Sequence, residues 1–374
     1  MWAACAAAHA QSAAATPHDD TLSFSGYLQP QYERIDRSGA EPRDRVFFRR
    51  MVLIVSARPT PEWAGTILFD LAPASSGGSL VIKDAFLQYV GWKDRGLTIT
   101  FGNQKLPFSR AYLVAASRRG LVERPFPGDR SVGSPGRAIA VKVDQWNTAR
   151  TLFWSGALAS SLQSPDPGEV RVDGIAEARP GWSEGVMAAG RVEWHPLGET
   201  PRGQGAFGSA QWRVTYAVAG YVWRNDGDIT PSEAQSGGAD AVRADASAAH
   251  GIELSTGLRG HRVSLDAEYE RIAASARDRA LTAGLYADGE ARLHKAGVEA
   301  GYMVRQHTLE IVAGADLLAA DAFGRAWTRA SAGLSWYAAW PTVRFQMMER
   351  VSRNDHGVSG AHSHATYVQA QFAF

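Results

Sequence analysis

The sequence predicts an all-β fold: a transmembrane antiparallel β-barrel of about 16 strands, with a long third loop folded into the lumen. The first observation is a series of sixteen segments in which apolar and polar residues alternate with a period of two. The second is that no apolar run approaches the roughly 18 residues that a membrane-spanning helix needs. The third is one long, arginine-rich connection, residues 106–137, which interrupts the series.

The N-terminus is predicted to be a processing segment that precedes the barrel. Residues 1–10 are small and apolar and end in the small-x-small pattern of a cleavage site at residues 8–10, which indicates a truncated signal peptide. The alternative is a disordered alanine-rich tail. Residues 11–21 are predicted to be a flexible segment, and residues 22–374 a single β-barrel domain.

The predicted strands are separated by stretches rich in proline, glycine, aspartate and serine, and short and long connections roughly alternate. Residues 281–287 have some strand character but are predicted to lie in a loop. The sixteen predicted strands are Leu22–Arg34, Arg45–Arg58, Trp63–Ala72, Leu80–Gly91, Gly96–Lys105, Ala138–Asp144, Arg150–Ala159, Val186–His195, Gln211–Arg224, Gly251–Arg259, His261–Ile272, Ala296–Arg305, Thr308–Leu318, Thr328–Ala339, Thr342–Ser352 and Thr366–Phe374.

The two faces of these strands differ in polarity. Along residues 262–270, Val, Leu, Ala and Tyr alternate with Arg, Ser, Asp and Glu, and residues 342–350 show the same pattern. A soluble β-sandwich has this alternation too, with its apolar face in the core. Sixteen strands of about 9–14 residues, however, exceed what a sandwich of short strands offers. We therefore expect the inverted arrangement, with apolar side chains facing lipid and polar ones facing a wet lumen.

Aromatic residues and the C-terminus support the membrane interpretation. The last strand ends on Phe374, as bacterial outer-membrane barrels typically do for recognition by their assembly machinery. Rings with one apolar and one polar edge prefer the two membrane interfaces, although ordinary core or rim positions are the alternative. The aromatic residues predicted to lie near strand ends are Tyr27, Trp63, Tyr89, Trp92, Trp154, Trp194, Trp212, Trp223, Trp336, Tyr337 and Trp340.

The connection of residues 106–137 concentrates positive charge. It contains six arginines and two acids, whereas the whole chain has a formal net charge of +1. Connections longer than about 12–15 residues are usually functional or disordered. We therefore interpret this one as a basic gate held by the barrel. Its arginines are Arg110, Arg118, Arg119, Arg124, Arg130 and Arg137.

Several stretches, spread from about residue 24 to the end of the chain, resemble those of a known family, the phosphate-selective porins of the O and P type. This resemblance implies a sixteen-stranded trimeric outer-membrane barrel with an inward-folded third loop, and a pore that binds phosphate-like anions on arginine and lysine. The stretches that carry it are Phe48–Arg50, Val81–Leu87, Phe101–Phe108, Leu121–Arg124, Gly136–Arg137, Gly333–Tyr337 and Tyr367–Phe374.

The resemblance also suggests site residues. Arg49 and Arg50 match the family's paired arginines at the constriction, Asp84 matches an acidic residue there, and Arg124 matches an arginine of the inward loop. Adjacent strand residues point to opposite faces, so Arg49 and Arg50 both face the lumen only if a bulge lies beside Arg49; otherwise one snorkels at an interface. The candidate ligand-binding residues are Arg49, Arg50, Asp84, Arg118, Arg119, Arg124, Arg130 and Arg137.

The predicted function is passive, anion-preferring diffusion of phosphate or similar small oxyanions through an arginine-lined constriction. Guanidinium groups offer a planar fork of donors that matches such anions, and Asp84 would keep binding weak enough for release. Asp266, Glu268 and Glu270 are expected on one face with Arg262, where they would attract cations locally. Together with the small net charge, these acids leave a weakly selective general porin open as an alternative. An outer-membrane β-barrel enzyme and a soluble β-sandwich binding protein are the alternatives from other classes.

No catalytic residue, metal site or cofactor is predicted. The only cysteine, Cys5, lies in the leader-like segment, and the ten histidines show no metal-ligand spacing. The near-neutral charge argues against nucleic acid as a partner. The expected partners are small phosphate-like anions, outer-membrane lipids and lipopolysaccharide, the barrel-assembly machinery through Phe374, and two further copies of the chain in a homotrimer, the last by resemblance only. The expected location is the outer membrane of a Gram-negative cell.

Overall fold

The computed structural model describes residues 22–72, 81–174, 182–208, 210–227 and 242–374. The predicted signal peptide, residues 1–10, and the predicted flexible segment, residues 11–21, lie outside this part of the chain. Within it, no helix is long and apolar enough to cross a membrane. Its one α-helix, α1 (Arg110–Leu113), is a single turn in the long loop.

All sixteen predicted strands are present, and one short strand, β8, is additional. The strands are β1 (Ser23–Arg37), β2 (Arg43–Thr60), β3 (Trp63–Asp70), β4 (Val81–Tyr89), β5 (Leu97–Lys105), β6 (Arg137–Trp146), β7 (Leu152–Gln163), β8 (Val172–Asp173), β9 (Ser183–Trp194), β10 (Arg213–Asn225), β11 (Ala246–Gly260), β12 (Val263–Ala276), β13 (Glu290–Arg305), β14 (Leu309–Ala320), β15 (Trp327–Ala339), β16 (Val343–Arg353) and β17 (His362–Ala373).

The strands form a closed antiparallel barrel. Each strand of the wall pairs with its neighbours in the wall, and β1 pairs with both β2 and β17, so the wall has no free edge among the described strands. β7 pairs directly with β9, and β8 only extends the loop end of β7, which leaves sixteen strands in the barrel wall. Closure satisfies the backbone hydrogen-bonding groups that hydrocarbon cannot solvate.

The faces of the strands have the inverted polarity that the sequence predicts. On β16 the inward side chains of Arg344 and Gln346 are both 4% exposed, whereas those of Phe345 and Met347 on the outward face are 43% and 50% exposed. The same contrast holds on β12, where Glu270 is buried and Tyr269 is exposed. An apolar face turned outward over the whole circumference is the arrangement that lipid requires.

Some of the aromatic residues predicted for the membrane interface point inward instead, among them Trp223 and Tyr337. Trp223 is fully buried and donates a hydrogen bond from Nε1 to the carbonyl oxygen of Ser161, at 3.1 Å. The hydroxyl of Tyr337 donates to Glu310 at 2.7 Å. Both have a buried polar partner, which an outward position does not offer. Trp194 and Trp336, in contrast, are exposed as expected.

Strand ends on the side of the long loops extend beyond the predicted limits. β12 continues to Ala276, past the predicted end at Ile272, and β13 begins at Glu290, ahead of the predicted start at Ala296. Ala274 and Ala276 are buried on an apolar cluster inside the barrel. Small apolar side chains also face inward there, so the two faces no longer differ in polarity. The alternation of apolar and polar residues therefore ends before the strand does.

An arginine on the lipid-facing surface is expected to destabilise the barrel. Leu254 on β11 is 54% exposed, and Leu254→Arg places a charge in hydrocarbon, at a cost of about 2–4 kcal/mol near the bilayer midplane. Val358→Arg is the matched control, because Val358 is 59% exposed but lies in the loop between β16 and β17. Urea unfolding in lipid vesicles measures both. If both substitutions change the free energy of unfolding by the same small amount, the assignment of this face to lipid is contradicted.

Candidate functional site

The two adjacent arginines at the predicted constriction both lie inside the barrel because β2 contains a bulge. The pairing of β1 with β2 passes from Gln29–Arg50 directly to Pro30–Phe48, so Arg49 is the extra residue. Arg49 Nε lies 2.9 Å from Glu123 Oε1 in the long loop. Arg50 Nη1 donates to Gln29 Oε1 at 3.0 Å. Adjacent residues of a regular strand point to opposite faces, but the bulge allows Arg49 and Arg50 both to face the lumen.

The long loop crosses the bore and is held on the far wall by carboxylates. The acids belong to β11, β12 and β14, and each accepts a hydrogen bond from a main-chain N–H of the loop. A carboxylate that accepts from backbone N–H groups makes a strong, charge-assisted bond. The four bonds run from Arg110 to Glu253 (3.2 Å), Ala111 to Glu268 (2.7 Å), Phe126 to Asp316 (3.2 Å) and Gly128 to Glu270 (3.0 Å).

These contacts correct the expectation that the acids near Arg262 attract cations. Asp266, Glu268 and Glu270 face the lumen, but they bind the loop: Asp266 pairs with Arg110, and Glu268 and Glu270 accept from the loop backbone. Arg262 is not on their face at all, because it is an exposed turn residue with φ of 71°. The acids of this wall therefore anchor the loop.

Of the loop arginines and the two arginines at the β2 bulge, four are paired with acids. The Arg137 guanidinium makes two bonds to Asp84, at 2.7 and 3.0 Å, so Asp84 is occupied by a loop-end arginine. Such pairs hold the loop to the wall, which leaves little of their charge for an anion. The four pairs are Arg49–Glu123, Arg110–Asp266, Arg130–Asp173 and Arg137–Asp84.

Four other cations have no carboxylate within salt-bridge distance in the described part of the chain. Arg124 and Lys105 flank the ring of Tyr112, at 4.9 and 5.1 Å from its centroid. Lys105 donates only to main-chain oxygens. Arg119 is buried at the tip of the loop, and Arg50 contacts only the amide of Gln29. We call Arg50, Lys105, Arg119 and Arg124 the cation cluster.

The cations of the cluster lie near enough to influence each other. Burial lowers the pKa of Arg119 well below its usual range, and the charges of Arg50 and Arg124 lower it further. Burial, together with the charge of Arg50, lowers the pKa of Arg124 to about 10. Arginine keeps its proton in proteins, so the three arginines of the cluster form a positive region without a paired carboxylate. Such a region favours an anion as its counter-charge.

Three of the four cluster residues are among the candidates predicted from the sequence, and Lys105 is not. That lysine is the last residue of β5 and immediately precedes the loop, a position that could have indicated it. Among the predicted residues, Arg50, Arg119 and Arg124 lack carboxylate partners, whereas Arg49, Asp84, Arg130 and Arg137 form ion pairs. These pairs join residues far apart in the chain. Arg118 is exposed, and its guanidinium lies next to Gly203.

A second segment reaches the loop tip from the other end of the barrel. Residues Thr200–Phe207, which we call the turn-side segment, lie in the connection between β9 and β10. The main-chain N–H of Gln204 donates to the carbonyl oxygen of Arg118 at 2.9 Å. Thr200 and Ala206 are buried. The inward fold of this segment was not predicted from the sequence. The available signal was the length of the connection between β9 and β10, because a short turn is expected at that position.

Loss of the Glu123 carboxylate is expected to destabilise the protein in a pH-dependent way. Burial would raise the pKa of Glu123, but Arg49 outweighs it and holds the pKa below its ordinary value. The contribution of the pair is therefore complete above the unfolded pKa of about 4.3 and declines as the pH falls below it. Glu123→Gln should cost about 1.5–3 kcal/mol at pH 7 and less at pH 3.

Urea unfolding at the two pH values measures this difference. Glu62→Gln is the control, because Glu62 is an exposed acid of the β2–β3 turn without an ion pair in the described residues. A cost of Glu123→Gln that stays the same from pH 7 to pH 3 would show that the ion pair with Arg49 does not stabilise the loop.

No family profile matches the sequence, and no curated protein matches it. The fold, however, matches solved outer-membrane proteins. OprB of Pseudomonas putida has a TM-score of 0.63 at 11% identity, with 94% of both chains covered. An anion-selective porin from Comamonas acidovorans has a TM-score of 0.60 at 10% identity, covering 95% of this chain and 99% of that one. The outer membrane channel DcaP of Acinetobacter baumannii has a TM-score of 0.57 at 10% identity, covering 94% of this chain and 97% of that one.

These similarities establish the fold and no more. The chain has the fold of a Gram-negative outer-membrane β-barrel, with sixteen strands in its wall. In the described residues, no group of three His, Cys, Asp or Glu side chains is placed to hold a metal ion.

Proposed function

We propose that the protein is an outer-membrane porin that allows passive diffusion of small anions, with a preference for phosphate or similar oxyanions. The observation that carries this proposal is the cation cluster. Arg50, Lys105, Arg119 and Arg124 are gathered inside a barrel that is crossed by a loop, and none of them has a carboxylate partner in the described residues. The anion-selective porin from Comamonas acidovorans, which shares the fold, agrees with it.

The mechanism follows from the chemistry of these groups. A guanidinium offers a planar fork of donors that replaces part of the water shed by an oxyanion in a narrow opening. The cluster combines three guanidinium groups with the side-chain nitrogen of Lys105, which is also a hydrogen-bond donor. Conduction also requires release of the anion. The neighbouring acids Asp84 and Glu123 keep the net positive charge of the opening moderate, because they neutralise Arg137 and Arg49.

Single-channel recording in planar bilayers tests the proposal. Under a KCl gradient, we expect the reversal potential to have the sign of chloride preference. Added phosphate should reduce the chloride current in a saturable way, since both anions use the cluster. A cation-biased reversal potential would contradict the anion site. A chloride preference without any effect of phosphate would instead support a chloride-conducting porin with no oxyanion site.

The second candidate is a weakly selective general porin. The formal net charge of +1 favours it, as does the pairing of half of the loop arginines with acids. A reversal potential near zero under the same gradient would select this candidate.

An enzymatic function is less well supported. Thr215 Oγ1 lies 2.8 Å from His195 Nδ1, and His195 Nε2 lies 3.3 Å from Glu193, an order that resembles a nucleophile, a base and an acid. All three side chains are buried, with Thr215 fully inaccessible, so no substrate reaches the hydroxyl. A nucleophile must meet its substrate. We propose that this group is structural and that the protein is not an enzyme.

The expected partners remain part of the proposal. Phe372 and Phe374 are exposed at the end of the last strand, which fits recognition by the barrel-assembly machinery and contact with lipid. We also propose a homotrimer. One neighbouring structure, OmpT of Vibrio cholerae, is described as a trimer form.

A further inference from the structure

The turn-side segment, Thr200–Phe207, is firmly attached to the inner wall. Arg259 Nη2 donates to the carbonyl oxygen of Gly203 at 3.0 Å, and Gln306 Nε2 donates to that of Ala206 at 3.1 Å. The ring of Phe207 stacks on Trp340, with centroids 4.9 Å apart. Wall residues from β11, the β13–β14 turn and the β15–β16 turn therefore hold the segment at both of its halves.

At its centre, Gln204 binds the loop on both sides of Arg119. The Gln204 main-chain N–H donates to the carbonyl oxygen of Arg118, at 2.9 Å. Its side-chain Oε1 accepts from the main-chain N–H of Gly120. One residue thus fixes the peptide before and after Arg119, whose buried side chain has no carboxylate partner in the described residues.

The opposite side of the same peptide is fixed by the wall. Arg344 Nη1 donates to the carbonyl oxygen of Arg119 at 2.7 Å, and Gln346 Nε2 donates to that of Gly120 at 2.6 Å. The loop tip is therefore clamped between β16 and the turn-side segment. A binding group is effective only when neighbouring contacts hold it in the productive geometry, because an unrestrained arginine loses more conformational entropy on binding.

We propose that Gln204 is a positioning residue, which sets the place of the Arg119 guanidinium in the constriction and thereby contributes to anion preference. This inference rests on the proposed function of the cation cluster. Gln204 does not itself contact the anion. Its role is to keep Arg119 at a fixed distance from Arg50 and Arg124, so that the three guanidinium groups bind one ion.

The test uses Gln204→Ala, Arg119→Ala and the double variant in the full-length protein. In planar bilayers under a KCl gradient, Gln204→Ala should move the reversal potential in the same direction as Arg119→Ala. The double variant should equal Arg119→Ala alone, because Gln204 acts through Arg119. Gln145→Ala is the control, since Gln145 lies near the same end of the barrel but bonds to the outward Trp154.

A second readout does not depend on anion transport. The Gly120 amide loses its acceptor in Gln204→Ala, so hydrogen exchange of residues 118–121 should become about five- to tenfold faster. Gln204→Asn, whose amide is shorter, should behave similarly if the alanine variant folds poorly. An unchanged exchange rate would show that Gln204 does not hold the loop on both sides of Arg119, and the inference would be wrong.

The two readouts separate failure of the inference from failure of the proposed function. If Arg119→Ala leaves the reversal potential unchanged, Arg119 is not part of an anion filter, and the Gln204 clamp is then judged on hydrogen exchange alone. If the effects of Gln204→Ala and Arg119→Ala on the reversal potential simply add, Gln204 acts independently of Arg119 and the inference is wrong. A reversal potential unchanged in Gln204→Ala, but shifted in Arg119→Ala, would also overturn it.

Discussion

Replacing both Arg119 and Arg124 with alanine is expected to remove most of the anion preference of the channel. The two side chains supply half of the cation cluster, and neither has a carboxylate partner in the described residues. Each lost charge weakens attraction for an anion in a region of reduced dielectric. A change of only about 1.4 kcal/mol in the free energy of the ion at the site alters the permeability ratio about tenfold.

The reversal potential under a KCl gradient measures this change. Arg305→Ala combined with Arg353→Ala is the matched control, because it removes the same charge from two exposed positions outside the constriction. The single variants should each give a smaller shift than the double variant. If the double variant and the control shift the reversal potential equally, the channel responds to overall charge, and the cluster is not the filter.

Replacing Glu270 is expected to cause the largest loss of stability. Its carboxylate pairs with Lys295, accepts from the Gly128 N–H at 3.0 Å and accepts from the Ser134 hydroxyl at 2.9 Å. Both charged side chains are fully buried between the loop and the wall. Glu270→Leu leaves the Lys295 ammonium without its counter-charge, which typically costs about 3–5 kcal/mol when the pair is buried.

The double variant Glu270→Leu and Lys295→Met should recover much of this loss, because no buried charge then lacks a partner. Glu290→Gln is the control: its partner Arg279 is largely exposed, so breaking that pair should cost less than about 1 kcal/mol. Urea unfolding in lipid vesicles measures all of these variants. A cost of Glu270→Leu as small as that of Glu290→Gln would show that this carboxylate does not anchor the loop.

The barrel itself could be predicted from the sequence because its signal is local. The period-2 alternation gave all sixteen wall strands, including β16, where Arg344 and Phe345 occupy opposite faces as expected. The length and the arginines of the long loop predicted a basic gate, and the resemblance to the phosphate-selective porins implied its inward course. Strand limits were less accurate where inward residues are small, as at Ala274, because contrast between the faces disappears there.

The electrostatics of the site could be predicted only in part, because they depend on distant contacts. Arg110 and Arg119 are similar in the sequence, yet Arg110 is paired with Asp266, 156 residues away, and Arg119 has no acid partner in the described residues. The role of the turn-side segment was equally hidden. Gln204 lies in a glycine-rich stretch that is typical of a surface loop, and only the fold brings it to the tip of the long loop.

Anomalous diffraction from crystals soaked in bromide would locate the anion site directly. We expect bromide inside the barrel, in contact with at least two of the four cations Arg50, Lys105, Arg119 and Arg124, and phosphate soaked into the same crystals should displace it. Bromide found only on the outer loops, with none between these four side chains, would contradict the account.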